Sequence, residues 1–289
     1  MSVSQLPHDA VWFVTGCSSG VGRSIASLIA KKPSLRVVAT ARNVSSLDYL
    51  PRSPNVLKLA LDVTSRKQIS VAIDSTLAKF GRVDVFVNNA GYYLFGDTEC
   101  IQEQAARKQM DTNSFGAADI TLEALRVFRE VNSQNGGTKG GLVLQISSSS
   151  GFVGLTGSAY YNASKFAIEG FTEGLSKEVN PDWNIRFLII EPGGMRSQFV
   201  ANIDGIARHP AYTDLSCPTN QLRVFLDTPE MKAGFAHPDR VAEIVFEASG
   251  MSGLPLRLPV GGDAWGMIKR KVDKMQTELE KVKILSQNT

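Results

Sequence analysis

The chain of 289 residues is poor in the side chains that build disulfide and metal sites, with 3 cysteines and 3 histidines. Cys17, Cys100 and Cys217 are odd in number and widely spaced, which excludes a disulfide framework and points to a reducing compartment, with the cytoplasm expected. His8, His209 and His237 are scattered, so no metal site is expected. No apolar run approaches the roughly 20 residues that cross a bilayer, and the first residues lack the apolar core of a signal peptide. Charge of one sign is scarce too. A net charge of +3, with no basic stripe, excludes nucleic acid as the expected partner. With 43% hydrophobic and 20% charged residues, the composition is that of an ordinary soluble domain.

What is present is alternation. Val11-Trp12-Phe13-Val14 reads as a strand buried on both faces, followed by a glycine turn (Gly16, Gly20, Gly22) and the helical pattern Arg23 to Ala30. Further strands are predicted at Leu35–Thr40, Val56–Leu61, Val83–Val87, Leu142–Ile146 and Ile185–Ile190, with helical stripes between them. Such alternation builds βαβ units and a parallel sheet.

Three turns then sit at one edge of that sheet, where ligands bind in open α/β folds. The first is Gly16-Cys17-Ser18-Ser19-Gly20-Val21-Gly22, whose backbone N–H groups at a helix start suit a phosphate; a plain connecting turn is the alternative. The second is Asp62-Val63. Its carboxylate can accept from an adenine amino group, cap the helix expected near Thr64, or both. The third is Asn88-Asn89-Ala90-Gly91, where small residues allow close approach of a ligand. Past the second strand no carboxylate appears before Asp48, and Arg42 offers a guanidinium instead. A 2′-phosphate is therefore expected on the dinucleotide, making the cofactor NADP(H) rather than NAD(H).

These segments, in this order and spacing, resemble the short-chain dehydrogenase/reductase family, and more narrowly its NADP-preferring hydroxysteroid- and retinol-dehydrogenase-like branch. The resemblance covers Val11 to Pro259. It implies a single doubly wound parallel sheet of Rossmann type with helices on both faces, to which the sequence adds a C-terminal helical extension. It also implies roles. Asn113, in an N-x-x-G motif that interrupts the helical pattern Ile101–Val131, holds a water in a proton relay. Ser148, thirteen residues before Tyr161 in the run Ser147-Ser148-Ser149-Ser150, orients the substrate carbonyl, with Ser149 as the lesser claimant. Tyr161 is the general acid/base, and Lys165 holds the nicotinamide ribose and lowers the tyrosine pKa. Pro192 and Gly193 cover the nicotinamide. Ser197 would replace the family's threonine, since the chain reads Met195-Arg196-Ser197 there.

The chemistry of the pair can be stated from the residues. Tyr161 and Lys165 stand at i and i+4, on one helix face, whereas Tyr160 has no lysine at that spacing. A free phenol titrates at about 10, so bringing it to neutrality takes about 4 kcal/mol, which a neighbouring ammonium and a cationic nicotinamide can supply.

Residues 195–235 form an irregular, apolar-rich segment expected to act as a substrate lid. With Tyr92, Tyr93, Leu94, Phe95, Phe152, Val153 and Leu155 it suggests a pocket for a bulky lipophilic ketone or alcohol; ordinary packing is the alternative. A helix over Asp239–Ser249 and an edge strand over Leu254–Val260 follow. Asp263 is expected to cap a last helix whose apolar seam (Trp265, Ile268, Val272, Met275, Leu279, Val282) should dock on its own domain or on a neighbouring subunit rather than on a membrane. The organisation expected is residues 1–262 as the dehydrogenase domain and 263–289 as helix and tail. The row Ala163, Ala167, Gly170, Gly174 allows close helix packing, and the resemblance implies a homodimer or homotetramer through this helix and the one carrying Asn113. Two rival functions share these features: a cofactor-binding sensor or scaffold without hydride transfer, and a non-redox cyclase or isomerase. The presence of Asn113, Ser148, Tyr161 and Lys165 together favours redox chemistry.

Overall fold

A computed structural model describes residues 6–134, 139–195, 206–228, 234–253 and 255–287. Seven parallel strands form one sheet in the order β3-β2-β1-β4-β5-β6-β7. They are β1 (Val11–Val14), β2 (Arg36–Ala41), β3 (Val56–Ala60), β4 (Val85–Asn88), β5 (Gly141–Ile146), β6 (Ile185–Pro192) and β7 (Arg257–Val260). Most of the predicted strands are met within two residues. The edge strand starts at Arg257, later than expected, and Leu254, the expected start, lies outside the described residues.

Alternation along β1 divides the core. Trp12 and Val14 point to one face, where they join Ile25 and Ile29 of α1 (Gly20–Ala30) and Val241 and Val245 of a later helix (Pro238–Ser249). Val11 and Phe13 point to the other, against Ile69 and Ile73 of α2 (Arg66–Phe80). That second face is completed by α3 (Glu103–Met110), α4 (Gly116–Arg126) and α5 (Ala159–Glu178). Phe86 of β4 packs edge-on against Phe128 there, ring centroids 5.5 Å apart. Sheet register through β1–β4 puts the chain reversal of the strand order beside the glycine turn, the switch point at which open α/β sheets leave a crevice.

Two expectations at helix starts are corrected. Asp62 does not cap α2; the helix begins at Arg66 with Ser65 as its cap, and Asp62 Oδ1 instead accepts from the N–H and hydroxyl of Thr64. Asp263 does not cap the last helix either. That helix starts one residue earlier, so the Asp263 side chain lies inside the first turn and accepts from the N–H of Gly194 at 2.7 Å.

The lid segment contains a helix that the sequence pattern did not show, α6 (Pro218–Asp227), ahead of α7 (Pro238–Ser249) and α8 (Gly262–Ser286). Ser197 lies outside the described residues. The α8 seam is not docked on the domain: Ala264 is its one buried residue among those described, and Leu279 is 64% exposed. No helix among the described residues is long and apolar enough to cross a membrane.

Candidate active site

The glycine turn is built by backbone conformation and crowding. Gly16 and Gly20 have φ of 69° and 57°, the left-handed region that glycine tolerates. Gly22 has no such φ but no room: a Cβ there would lie 2.3 Å from Asn89 Nδ2 and 2.5 Å from the Gly16 carbonyl. Ser19 caps α1 without a side-chain hydrogen bond and the first turn carries no acid. Its N–H groups and positive dipole end therefore remain available to an anion, and Ser18 and Ser19 are exposed beside them. The cradle fits a pyrophosphate.

Thr15, which leads into the glycines, joins this turn to the third one. Its hydroxyl accepts from the N–H groups of Asn89 (2.9 Å) and Ala90 (3.0 Å) and donates to the Val87 carbonyl at 3.2 Å. Asn89 returns the link, donating from Nδ2 to the carbonyls of Thr15 (2.9 Å) and Gly16 (3.1 Å). The amide group of Asn89 is thus engaged in holding the two turns together, while Ala90 and Gly91 offer small surfaces. Cys17 is buried beneath the turn, where burial pushes its thiol up to about 12.

Arg42 is exposed at the end of β2 and its charge is felt by both Asp62 and Tyr92, so it overhangs the same edge. Burial raises the Asp62 carboxyl, but the hydrogen bonds from Thr64 and the Arg42 charge outweigh it and hold the group below its ordinary value. Val63 is buried, and the absence of a side chain at Gly116 admits it: a Cβ there would sit 2.7 Å from the Val63 carbonyl.

The helical interruption predicted around Asn113 is a π-turn, Asp111–Phe115, between α3 and α4. The wide turn carries Asn113 to the turn after β4. Its Oδ1 accepts from the Tyr92 N–H at 3.0 Å, and its Nδ2 donates to the Tyr92 carbonyl (2.9 Å) and to Ser164 Oγ (3.0 Å). Gly91 lies between this amide and the lysine: a Cβ built on it would be 3.1 Å from Asn113 Oδ1 and 3.7 Å from Lys165 Nζ.

Tyr161 and Lys165 are buried on α5, one turn apart. Ser148 faces the Tyr161 phenol closely enough to favour its ionised form, and the Tyr93 and Tyr161 rings meet edge to face at 4.8 Å between centroids and 90°. Ser148 Oγ also accepts from the Ser150 N–H at 3.1 Å, which fixes the turn that presents it. Ser149, the other claimant, is buried in a short 3₁₀ turn. Lys165 Nζ donates to the Ile146 carbonyl at 2.8 Å and stands 5.9 Å from the Tyr161 ring centroid. Burial lowers this ammonium to about 8, opposed by the Glu169 charge. The phenol differs from the expectation of a lowered pKa. Burial raises it above its ordinary value, with Ser148 opposing, while the Lys165 ammonium is directed to the Ile146 carbonyl.

Around Tyr161, Tyr93 shares a 2.6 Å hydrogen bond with Ser158, and Leu94, Phe152, Val153 and Leu155 are half-buried. Phe95 is fully buried instead of lining a pocket. Gly157 packs against its ring, and the Arg223 guanidinium of α6 lies 5.3 Å from its centroid. The described part of the lid is held down by Arg208, which donates to buried Asp97 at 2.9 Å. Pro192 ends β6. Gly193 donates to the Val260 carbonyl at 3.0 Å and is packed against the Asp263 carboxylate, which a Cβ would meet at 2.2 Å. No group of residues among those described could hold a metal ion.

Comparison with known proteins agrees with this geometry. The family described as short chain dehydrogenase matches residues 10–205. "Oxidoreductase calM" of Penicillium decumbens is 42% identical over 289 residues, covering 98% of this chain and 93% of that protein. The "3-ketodihydrosphingosine reductase" of Bacteroides thetaiotaomicron is 32% identical over 65% of each chain. Among solved structures, a short-chain dehydrogenase from Streptomyces avermitilis superposes with a TM-score of 0.82 at 32% identity, covering 98% of this chain and 99% of that one. The chain belongs to the short-chain dehydrogenase family.

Proposed function

We propose that the protein is an NADP(H)-dependent oxidoreductase that interconverts a ketone and a secondary alcohol on a bulky, lipophilic small molecule. One observation carries the reading: a buried phenol beside Ser148 and one helical turn from buried Lys165, at the sheet edge that also bears the glycine cradle. When bound, the nicotinamide supplies or accepts the hydride. Tyr161 passes a proton to or from the substrate oxygen, and Ser148 holds that oxygen beside it. Lys165 binds the nicotinamide ribose, and the cationic nicotinamide, when bound, favours the phenolate. Asn113 keeps the Tyr92 backbone in place and completes the relay. Gly16, Ser18, Ser19, Gly20, Val21 and Gly22 take the pyrophosphate, Asp62 and Val63 the adenine, and Asn89, Ala90 and Gly91 flank the cofactor. Pro192 and Gly193 would cover the nicotinamide, and Ser197, outside the described residues, is proposed to supply the hydroxyl that reaches it.

Arg42 supports the 2′-phosphate and hence NADP(H). The half-buried aromatic and aliphatic residues around Tyr93 support a lipophilic substrate, and a relative named as a keto-lipid reductase is in keeping with that class. The same reading makes the protein a cytoplasmic homodimer or homotetramer. Phe115 and Phe166 are 63% and 40% exposed, beside the exposed Ala163, Ala167, Gly170 and Gly174, and such a face suits a second copy.

The test follows the absorbance of NADPH, and separately NADH, with a panel of aromatic and polycyclic ketones set against sugars and small charged acids. NADPH oxidation confined to the lipophilic ketones is expected. Equal use of NADH would remove the role of Arg42, and absence of turnover with every ketone would leave a dinucleotide-binding protein.

A further inference from the structure

Two buried carboxyl groups lie next to the catalytic residues and take no part in the chemistry above. Glu169 follows Lys165 by one turn on α5, and Glu191 is the penultimate residue of β6; they are 2% and 1% exposed. Ser147, which precedes Ser148, donates from Oγ to Glu169 Oε1 at 2.6 Å. Gly151 closes the same turn over that carboxylate, so tightly that a Cβ would sit 2.1 Å from Oε1. On its other side Glu169 Oε2 accepts from Arg257 Nε of β7 at 3.0 Å, and the same guanidinium reaches Glu173 at 2.8 Å. Arg257 comes only within 3.8 Å of Glu191 Oε1, which has no hydrogen-bond partner. The two buried carboxyl groups thus converge on one nitrogen, Arg257 Nε, which lies 3.0 Å from Glu169 Oε2 and 3.8 Å from Glu191 Oε1.

The charges do not balance if every carboxyl is ionised. Glu169, Glu173 and Lys165 face this pocket from α5, Arg257 from β7, and Asp263 of α8 lies across Gly193 and Gly194. The lysine is directed to the Ile146 carbonyl, and the guanidinium is taken up by Glu169 and Glu173. Two ionised carboxylates in buried contact repel each other, whereas one proton between them turns the repulsion into a hydrogen bond.

We propose that Glu169 and Glu191 share one proton, and that the pair, anchored by Arg257, positions the Ser148 turn and the Lys165 helix relative to each other. The positioning half rests on the dehydrogenase reading; the proton sharing does not. Burial and the neighbouring Glu169 charge raise Glu191 to about 8, Arg257 opposing, which agrees with the geometry. When the proton leaves, Glu169 is pressed by a second negative charge and the bond it receives from Ser147 is disturbed one residue from Ser148.

The experiment compares the native protein with Glu191→Gln, which keeps the shape but cannot ionise, between pH 5 and 9. The first readout is thermal unfolding without substrate or cofactor. Glu191 titrates at about 4.3 when unfolded and at about 8 when folded. Over that interval the folded form holds the extra proton, so the native protein loses stability as pH rises and then levels off above the folded value. Glu191→Gln lacks this slope. The melting temperature of the variant minus that of the native protein should therefore rise from pH 5 to 8 and then stay constant; parallel curves would overturn the shared proton. If Glu191→Gln does not fold, Glu169→Gln, which removes the neighbouring charge but leaves Glu191 buried, should make the same slope shallower. The second readout is the ratio of kcat at pH 9 to kcat at pH 7, with KM for the cofactor measured alongside. The native ratio should fall about tenfold on account of this group, and that fall should be absent in Glu191→Gln without a change in KM. An unchanged ratio with a changed unfolding slope would reduce the pair to a structural role. Absence of turnover in the native enzyme would instead defeat the dehydrogenase reading, and the positioning role with it, while the unfolding slope still decides the proton.

Discussion

Tyr161 is buried deeply enough that its phenol is raised, not lowered, in the protein by itself. Tuning toward neutrality must then come with the positively charged nicotinamide, which makes the acid/base group active once the oxidised cofactor is in place. Replacing Tyr161 with Phe should cut kcat by about 10²–10⁴-fold, while binding of NADPH, read by fluorescence, is kept; near-full turnover would remove the assignment. Gly22→Ala acts on the cradle instead. Its new methyl meets Asn89 Nδ2 and the Gly16 carbonyl, so a loss of about 1–3 kcal/mol in urea unfolding and weaker NADPH binding are expected. Most of these residues were legible in the sequence because their spacing is periodic or tied to strand ends: Tyr161 and Lys165 by the helical step, the glycines by the turn. Thr15, Ser164, Glu169 and Glu191 were not. A lone threonine or a helical glutamate reads as a solvated group, and only the fold shows what each one meets. Glu191 had a faint signal, being an acid within an otherwise apolar strand.

At the scale of elements, the irregular stretch around Asn113 became a π-turn, and the reason is local. The extra residue in the turn brings one amide within reach of both backbone groups of Tyr92. The pattern marked the place but not its form, since Asn and Gly in a helix foretell a disturbance without saying whether it is a kink or a bulge. Outward of this helix, the π-turn, α4 and α5 leave Phe115, Leu122 and Phe166 exposed around small residues. A Cβ at Gly170 or Gly174 would meet nothing within 4 Å in the single chain. Gly170→Arg should therefore leave the melting of an isolated subunit unaltered yet shift sedimentation from dimer or tetramer to monomer. An unaltered oligomer would place the contact elsewhere.

For the molecule as a whole, hydrophobic alternation sufficed for the sheet and its two packed faces, because strands buried on both sides write a continuous apolar code. At the last helix it leaves the neighbouring subunit as the surface the seam would need. The seam of Trp265, Ile268, Val272, Met275, Leu279 and Val282 has the spacing of a docked face, yet in the single chain Ile268 is half-buried and the others are exposed. Periodicity reports that a face could be covered, not what covers it. In the subunit alone, Leu279→Glu should change stability by no more than about 0.5 kcal/mol by urea unfolding at low protein concentration. A larger loss would mean that the seam is covered in solution.

The bond from Gly194 to Asp263 gives the far end of the polypeptide a say in catalysis. The loop expected beside the nicotinamide is moored to the first turn of α8, so a pull on that helix is transmitted to the dinucleotide. Affinity handles or fusions are better attached at the opposite terminus, and libraries that trim or graft the C-terminal helix will change cofactor affinity even where they spare every residue of the crevice.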